Sequence, residues 1–170
     1  MNDVLRDMLT LAQGEALSGI TKVNADVSKI ADGICLQFDA VAFEKNITLE
    51  SRIQENVFAD CDEKMIRRLF TILIDNAVKY EPEGGKVFVA LEKSGTKTTF
   101  AVRNFGSTVK KEDLPHLFER FYRADKSRSG GGVGLGLAIA KNIADLHGGS
   151  VWVEESSEKG TTIAVELPVQ

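Results

Sequence analysis

The 170-residue chain is poor in cysteine and histidine, carries no excess of positive charge and has no long apolar run. No apolar stretch approaches the roughly 20 residues that cross a bilayer, and the N-terminus lacks the charged-then-apolar layout of a signal peptide. The net charge of −4 argues against general binding to nucleic acid. The sequence therefore predicts a soluble protein that is not a general nucleic-acid binder.

Cys35 and Cys61 lie in different patterned segments, and their spacing is not that of metal ligands. We therefore expect reduced thiols in a cytosolic setting rather than a disulfide.

Apolar periodicity predicts an α/β domain. Residues 4–17 carry a helical stripe that resembles the end of a longer helix. The clearest helix begins after Asp60 or Asp62 as N-cap and ends at Tyr80, before the stop signal of residues 81–85. Its inward positions are Ile66, Leu69, Phe70, Leu73 and Ala77. Further helices are predicted over 27–46, 134–147 and shortly after Glu112, and strands over 47–53, 86–93, 97–103, 151–154 and 161–167.

This order of elements favours a two-layer α/β sandwich over a wound parallel sheet. We expect a mixed, mostly antiparallel sheet whose one face is covered by helices.

The first candidate site lies on the helix that ends at Tyr80. Asn76 falls on the buried stripe, and a carboxamide there needs either a backbone partner or a bound species. Lys79 and Tyr80 share its face and bring a cation and an aromatic ring to the same place. This set suits Mg²⁺ that is carried by phosphates, although Lys79 is equally explained as a solvated lysine at the helix end.

The second candidate site is the glycine-rich run of residues 130–136, which leads directly into a helix. Glycines let the backbone approach a ligand closely, and the first N–H groups of the helix attract an anion. The run indicates a phosphate site, although a flexible loop before an ordinary helix has the same appearance.

The third candidate site is the aromatic and basic segment of residues 118–128. Phe118 and Phe121 are expected in the core. Arg123 and Arg128 are the candidates for charge-assisted contacts to phosphate.

Taken in this order, the motifs resemble the catalytic ATP-binding domain of sensor histidine kinases. Residues 75–80 match the N box of that family, 117–122 its F box and 132–136 its second glycine box. The resemblance implies a Bergerat (GHKL ATPase-like) fold in which ATP lies beneath a lid at residues 124–133. It also implies that residues 1–20 are the tail of a preceding dimerisation helix with its linker, and that residues 21–170 are the catalytic domain.

The resemblance also implies roles for individual residues. Asn76 is then the Mg²⁺ ligand and, with Lys79 and Arg123, forms the catalytic set. Tyr80 lines the nucleotide pocket, and Thr161 lies near the adenine. The remaining residues expected to bind ATP are Asn104, Gly106, Arg128, Gly132, Gly134, Leu135 and Gly136.

The first glycine box departs from the family pattern. Asn104 stands where the family often has the aspartate that accepts a hydrogen bond from the adenine amino group. Because a neutral acceptor binds less strongly than a charged one, we expect weakened but not abolished ATP affinity. Thr108 replaces the second glycine of that box, and Ile72 replaces a frequent asparagine.

The implied reaction is transfer of the γ-phosphoryl group of ATP to a histidine in two-component signalling. Phosphoryl transfer requires mainly that the reacting groups are positioned and that cations neutralise the phosphate oxygens, so no acid/base pair is needed in this domain. His116 and His147 do not lie on a helical hairpin like the one that carries the phosphoacceptor of the family, so we expect the acceptor outside this chain.

The expected partners are an upstream dimerisation and phosphotransfer domain and a response regulator, with a homodimer only in the full-length protein. The expected setting is the cytosolic portion of a membrane-anchored bacterial sensor.

Three alternatives remain open at this stage. Another ATPase of the same fold would use Asp75 as a carboxylate base. A nucleotide-sensing module that has lost catalysis is motivated by Asn104, Thr108 and Ile72. A purely structural interaction domain is the third.

Overall fold

The computed structural model describes residues 5–6, 8–9, 12, 20–124 and 134–169. The described residues between 5 and 12 are helical. From residue 20 onward the described residues form helices α1 (Val27–Glu44), α2 (Glu63–Tyr80) and α3 (Gly136–Leu146), and a short 3₁₀ helix at Leu114–His116. The strands are β1 (Val23–Asp26), β2 (Thr48–Ile53), β3 (Phe58–Cys61), β4 (Lys86–Ser94), β5 (Lys97–Asn104), β6 (Ser150–Ser157) and β7 (Gly160–Pro168).

Five of these strands form the main sheet, in the order β2-β4-β5-β7-β6. β2 and β4 are parallel, and the other neighbouring pairs are antiparallel. The three helices pack on this sheet. The predicted two-layer sandwich with a mixed, mostly antiparallel sheet is confirmed.

The hydrophobic core lies between the helices and the sheet. Along β4 the buried residues Val87, Val89 and Leu91 alternate with less buried ones, as expected for a strand with one covered face. Phe70 of α2 stacks on Phe100 of β5 with ring centroids 3.9 Å apart. Burial of each such ring contributes about 1.5–3 kcal/mol, so this contact fixes α2 against the middle of the sheet.

Helix α2 forms as its sequence predicts. The carboxylate of Asp62 accepts a hydrogen bond from the amide of Met65 at 3.2 Å and caps the first turn. All five residues predicted to face inward are buried: Ile66, Leu69, Phe70, Leu73 and Ala77. The helix therefore presents a fixed outer face from its first turn to Tyr80.

The sequence patterns missed a second, two-stranded sheet, in which β1 and β3 pair antiparallel. Both strands have four residues, too short for a clear alternation. The buried Ser28 of α1 holds the turn that precedes β3, since its hydroxyl donates to the carbonyl of Gln54 at 2.6 Å and accepts from the amide of Val57 at 2.9 Å.

The two thiols are free, as expected from the sequence, and both are buried. Burial raises the pKa of Cys35 to about 11 and that of Cys61 to about 11. Both groups are therefore protonated and unreactive near neutral pH. None of the helices within the described ranges has both the length and the hydropathy needed to cross a bilayer.

His147 joins two helices that are far apart in sequence. Its Nδ1 lies 2.8 Å from the carbonyl oxygen of Ile143, to which it donates, and its Nε2 accepts from the amide of Asp62 at 3.1 Å. Burial lowers the pKa of His147, and the nearby Lys22 acts in the same direction, whereas the Ile143 carbonyl and the Asp62 carboxylate oppose it. The imidazole is therefore neutral at neutral pH.

We expect acid to destabilise the fold through His147. The pKa of His147 is about 6.5 in the unfolded chain and lower in the folded chain. At pH values between the two, the unfolded chain binds a proton at this histidine and the folded chain does not, so stability falls as pH falls. Urea unfolding at about pH 7.5 and about pH 5 should show this loss, and His147→Gln should flatten it while costing roughly 1–3 kcal/mol at the higher pH. If His147→Gln loses as much stability between the two pH values as the unchanged protein does, the assignment is contradicted.

Candidate functional site

An open cleft lies along the outer face of α2. Its volume is about 900 Å³, and its walls are α2, the loop after β5, the segment after the 3₁₀ helix, the start of α3 and part of β7. Clefts of roughly 300–1,000 Å³ hold ligands of the size of a nucleotide.

Most of the residues predicted from the sequence meet in this cleft. Nine line it: Asn76, Lys79, Tyr80, Asn104, Arg123, Gly134, Leu135, Gly136 and Thr161. Gly106 is not among the lining residues. Arg128 and Gly132 lie outside the described residues.

The wall formed by α2 carries an ion pair. Nζ of Lys79 lies 3.1 Å from Oδ2 of Asp75, and both side chains are close to half exposed. An exposed pair with i,i+4 spacing contributes only about 0.3–0.5 kcal/mol, so an anionic ligand can compete for the lysine. Asp75 and Asn76 are adjacent and point in different directions around α2. Both line the cleft, because it is wide enough to extend over both positions.

Further cations of α2 line the cleft and were missed by the sequence analysis. Lys64, Arg67 and Arg68 lie on the first turns of the helix, and Arg6 lines the same end. Lys64, Arg67 and Arg68 are spaced by three and four residues, so they lie on one side of the helix. This spacing is the sequence pattern from which the basic wall could have been predicted. With Lys79 and Arg123 they make the cleft suited to an anion.

Asn104 lies at the other end of the cleft, where β5 ends beside Thr161 of β7. Its side chain is buried, and within the described part of the chain its Nδ2 atom has no hydrogen-bond partner. The hydroxyl of Thr161 is already engaged, since it donates to the carbonyl of Ser107 at 2.9 Å and lies 3.1 Å from Oγ of Ser156. Of these two neighbouring side chains, Asn104 is therefore the one with a donor that lacks a partner, and that nitrogen is itself covered.

The loop after β5 is held by a buried carboxylate that the sequence analysis did not identify. Glu81 follows the last residue of α2 and is 4% exposed. It accepts hydrogen bonds from the amide of Gly106, at 3.1 Å on Oε1 and 3.0 Å on Oε2, and from the amide of Lys86 at 3.1 Å. A Cβ on Gly106 would lie only 2.9 Å from Oε1 and from Cδ of Pro82, so the absent side chain makes room for this contact.

The same loop is attached to β6. Oγ1 of Thr108 donates to the carbonyl of Ser157 at 2.6 Å, and the amide of Val109 donates to Oγ of Ser156 at 2.8 Å. The loop after Asn104 is thus held by two partners, the carboxylate of Glu81 and strand β6.

Gly134 joins the aromatic segment to the start of α3. Its carbonyl accepts from the amide of Phe121 at 3.0 Å, and its φ is +80°. A Cβ at this position would lie 2.6 Å from the carbonyl oxygen of Tyr122. A glycine is therefore required both by the left-handed backbone and by the close approach.

One expectation for the aromatic segment was wrong. Phe118 packs against the core, but Phe121 is 54% exposed. The backbone of Phe121 has φ of +63°, which turns its ring away from the core, and apolar character alone could not reveal this. Tyr122 lines the cleft, and its hydroxyl hydrogen-bonds Asp113, which raises the pKa of Tyr122 to about 12.

Comparison with known proteins places the chain in a family. Residues 61–170 match the family described as histidine kinase-, DNA gyrase B- and HSP90-like ATPase. The chain is 34% identical to sensor histidine kinase YkoH of Bacillus subtilis (strain 168), over 100% of this chain and 37% of that protein. It is 38% identical to sensor histidine kinase WalK of the same strain, over 66% of this chain and 19% of that protein. The chain therefore spans well under half the length of these relatives.

Solved structures agree with this placement. The nucleotide-free catalytic domain of histidine kinase ThkA is 25% identical with a TM-score of 0.77, covering 88% of this chain and 96% of that one. Full-length ShkA in complex with AMPPNP is 25% identical with a TM-score of 0.84, covering 98% of this chain and 35% of that one. The chain thus belongs to the histidine kinase-, DNA gyrase B- and HSP90-like ATPase family, as an ATP-binding catalytic domain of the sensor histidine kinase type.

Proposed function

We propose that this domain positions Mg²⁺-bound ATP so that its γ-phosphoryl group passes to a histidine outside residues 1–170. One observation carries the proposal: a single cleft is lined by Asn104 at one end and by Asn76, Lys79 and the Gly134–Gly136 turn elsewhere along its walls.

The base lies at the end of the cleft formed by Asn104 and Thr161. The carbonyl oxygen of Asn104 accepts from the adenine amino group, and Tyr80 contributes an aromatic wall. Gly106 acts here through the backbone, because its bond to Glu81 holds the loop that follows Asn104.

The phosphates lie toward the start of α3. The first amides of a helix have no partner within the helix and attract an anion, and Gly134 to Gly136 bring the backbone close enough for contact. Lys79 and Arg123 contribute positive charge from opposite walls. Arg128 and Gly132 complete this set in the proposal.

The donor set fits Mg²⁺. Magnesium prefers oxygen ligands and commonly takes only one or two from the protein when phosphates supply others. Asn76 offers a carboxamide oxygen in the cleft, and the described residues contain no group of three or more His, Cys, Asp or Glu side chains that could bind a metal without the nucleotide. When bound, the ion neutralises charge on the phosphates.

Neither histidine of the chain lies on a helical hairpin. Both ring nitrogens of His147 are engaged in the core, and His116 lies on the short 3₁₀ helix, where its Nδ1 is 2.8 Å from Oε1 of Glu119. We infer that the acceptor lies on an upstream dimerisation and phosphotransfer hairpin, for which residues 1–20 form the tail and linker. The full-length protein is then a homodimeric, membrane-anchored bacterial sensor with a cytosolic catalytic portion, and it passes the phosphoryl group to a response regulator.

A nucleotide-sensing module without catalysis is the second candidate, and the neutral Asn104 in place of aspartate favours it. A hydrolase of the same fold is less well supported, because the relatives described above are sensor histidine kinases.

The test is phosphoryl transfer between separate parts. The purified chain, Mg²⁺, γ-labelled ATP and the separately produced upstream hairpin should give label on the hairpin that is stable in alkali and lost in acid. A hairpin whose histidine is replaced by glutamine is the control and should stay unlabelled. Binding of ATP without any transfer would support the sensing module instead, and label on the catalytic chain itself would contradict the external acceptor.

A further inference from the structure

The amide nitrogen of Asn104 is a covered hydrogen-bond donor without a partner among the described residues, at the base end of the cleft. The residue is 6% exposed, and Nδ2 has no partner among the described residues. Buried donors in folded proteins nearly always have partners, since leaving one unpaired is unfavourable. Asn104 lines the cleft, but Nδ2 itself is covered in this conformation, so a ligand in the cleft reaches this donor only when the amide turns.

The groups next to Asn104 are already engaged and do not accept a hydrogen bond from Nδ2. The backbone of Asn104 is held between Val87 of β4 and Thr161 of β7 in the sheet register. The neighbouring hydroxyl of Thr161 already donates to Ser107. On the other side, Gly106 is bound to the buried Glu81 carboxylate. The backbone of Asn104 is therefore held at a fixed place beside the cleft, and only the side-chain torsions are left to reorient the amide.

We propose that Asn104 reads the purine with both atoms of its amide, so that this site accepts 6-oxopurine nucleoside triphosphates, such as inosine triphosphate, as well as ATP. The inference rests on the proposed nucleotide site and specifies its substrate class. It goes beyond weaker ATP binding, because it assigns a positive role to the Nδ2 donor.

The expected specificity follows from the hydrogen-bond donors and acceptors that each purine presents at positions 6 and 1. Adenine offers an N6–H donor beside the N1 acceptor, whereas hypoxanthine offers the O6 acceptor beside an N1–H donor. An asparagine amide presents one donor side and one acceptor side, and it pairs with either edge after a half-turn about its last torsion. An ionised aspartate only accepts, so it suits N6–H of adenine and repels O6 of hypoxanthine.

The absence of a partner on Nδ2 is what permits the half-turn. Had a protein carbonyl held this atom, the amide would have one fixed orientation, and one base edge would be preferred. Inosine is the sharper probe than guanosine, because hypoxanthine lacks the 2-amino group and so matches the size of adenine.

Calorimetry with the purified 170-residue chain tests the proposal, using Mg²⁺ with ATP and Mg²⁺ with inosine triphosphate. The wild-type chain should bind the two with dissociation constants within about tenfold of each other. Asn104→Asp should raise the ratio of the inosine to the adenosine constant by about tenfold or more. Asn56→Asp, which adds the same charge on an exposed turn outside the cleft, should leave the ratio unchanged.

Each outcome decides the question. An Asn104→Asp ratio that rises by less than about tenfold, while ATP still binds, overturns the proposal and leaves the nucleotide site intact. If Asn104→Asp does not fold, the wild-type chain alone decides, and rejection of inosine triphosphate by about a hundredfold or more overturns the proposal. Failure to bind either nucleotide contradicts the proposed function as well.

Discussion

Replacing Asn76 by alanine is expected to reduce phosphoryl transfer to the upstream hairpin by about 10²–10³-fold, the effect of removing one positioned group that stabilises transition-state charge. Asn76 lies on the half-buried edge of α2, and its proposed role is to hold Mg²⁺ against the phosphates. The fold should tolerate the change, because alanine has the higher helix propensity and the site is not deeply buried. Initial rates of label transfer, with thermal unfolding as the check on folding, measure both effects.

Asp75→Asn is the matched control for this experiment. The residue is adjacent on α2 and lines the same cleft, but its carboxylate pairs with Lys79. We expect the rate to change by less than about tenfold, since an exposed pair of this kind contributes little. If Asp75→Asn is as damaging as Asn76→Ala, a carboxylate base is required, and the hydrolase of the same fold becomes the better description.

Gly134→Ala is expected to weaken nucleotide binding by about tenfold or more, an effect of one close steric conflict at the binding turn. The added methyl group would meet the carbonyl oxygen of Tyr122 at 2.6 Å and the carbonyl carbon of Phe121 at 2.8 Å. Both are backbone atoms and cannot rotate away. The contact between the aromatic segment and the start of α3 must therefore open, and the cleft wall opens with it.

Gly148→Ala separates this conflict from backbone strain. Gly148 has φ of +72°, close to the +80° of Gly134, but a Cβ there would meet nothing within 4 Å. Each alanine costs roughly 1–2 kcal/mol for the left-handed backbone, but only Gly134→Ala should also affect the nucleotide. Calorimetric titration with Mg²⁺ and ATP distinguishes them. Equal losses of affinity in the two variants would remove Gly134 from the binding turn.

The largest local features of the fold were predictable because they are periodic. The stripe from Ile66 to Ala77 repeats with the period of a helix, and the hairpin of β4 and β5 alternates around Ser94 and Gly95. Periodicity needs several repeats to be visible. The four-residue strands β1 and β3 offer too few, so the small sheet was missed.

Single residues were harder to place than elements. Phe121 was expected in the core and is exposed, because one left-handed backbone angle redirects its ring. Gly106 was expected to bind the ligand, which stays a prediction, and the structure adds a role that the sequence did not suggest: its amide donates to the carboxylate of Glu81. In each case one local conformation or one distant partner, which composition does not encode, decided the outcome.

The amino-acid sequence by itself determined the order of the three long helices and of the five strands of the main sheet, the family, and the set of polar residues that could meet a nucleotide. Only the tertiary structure decided which of them meet: Glu81 with Gly106, 25 residues away, and His147 with Asp62, 85 residues away. The physical reason is that a helix or strand with one buried face shows a regular pattern of apolar residues within a short stretch of sequence. A hydrogen bond between distant segments depends instead on how the whole chain packs.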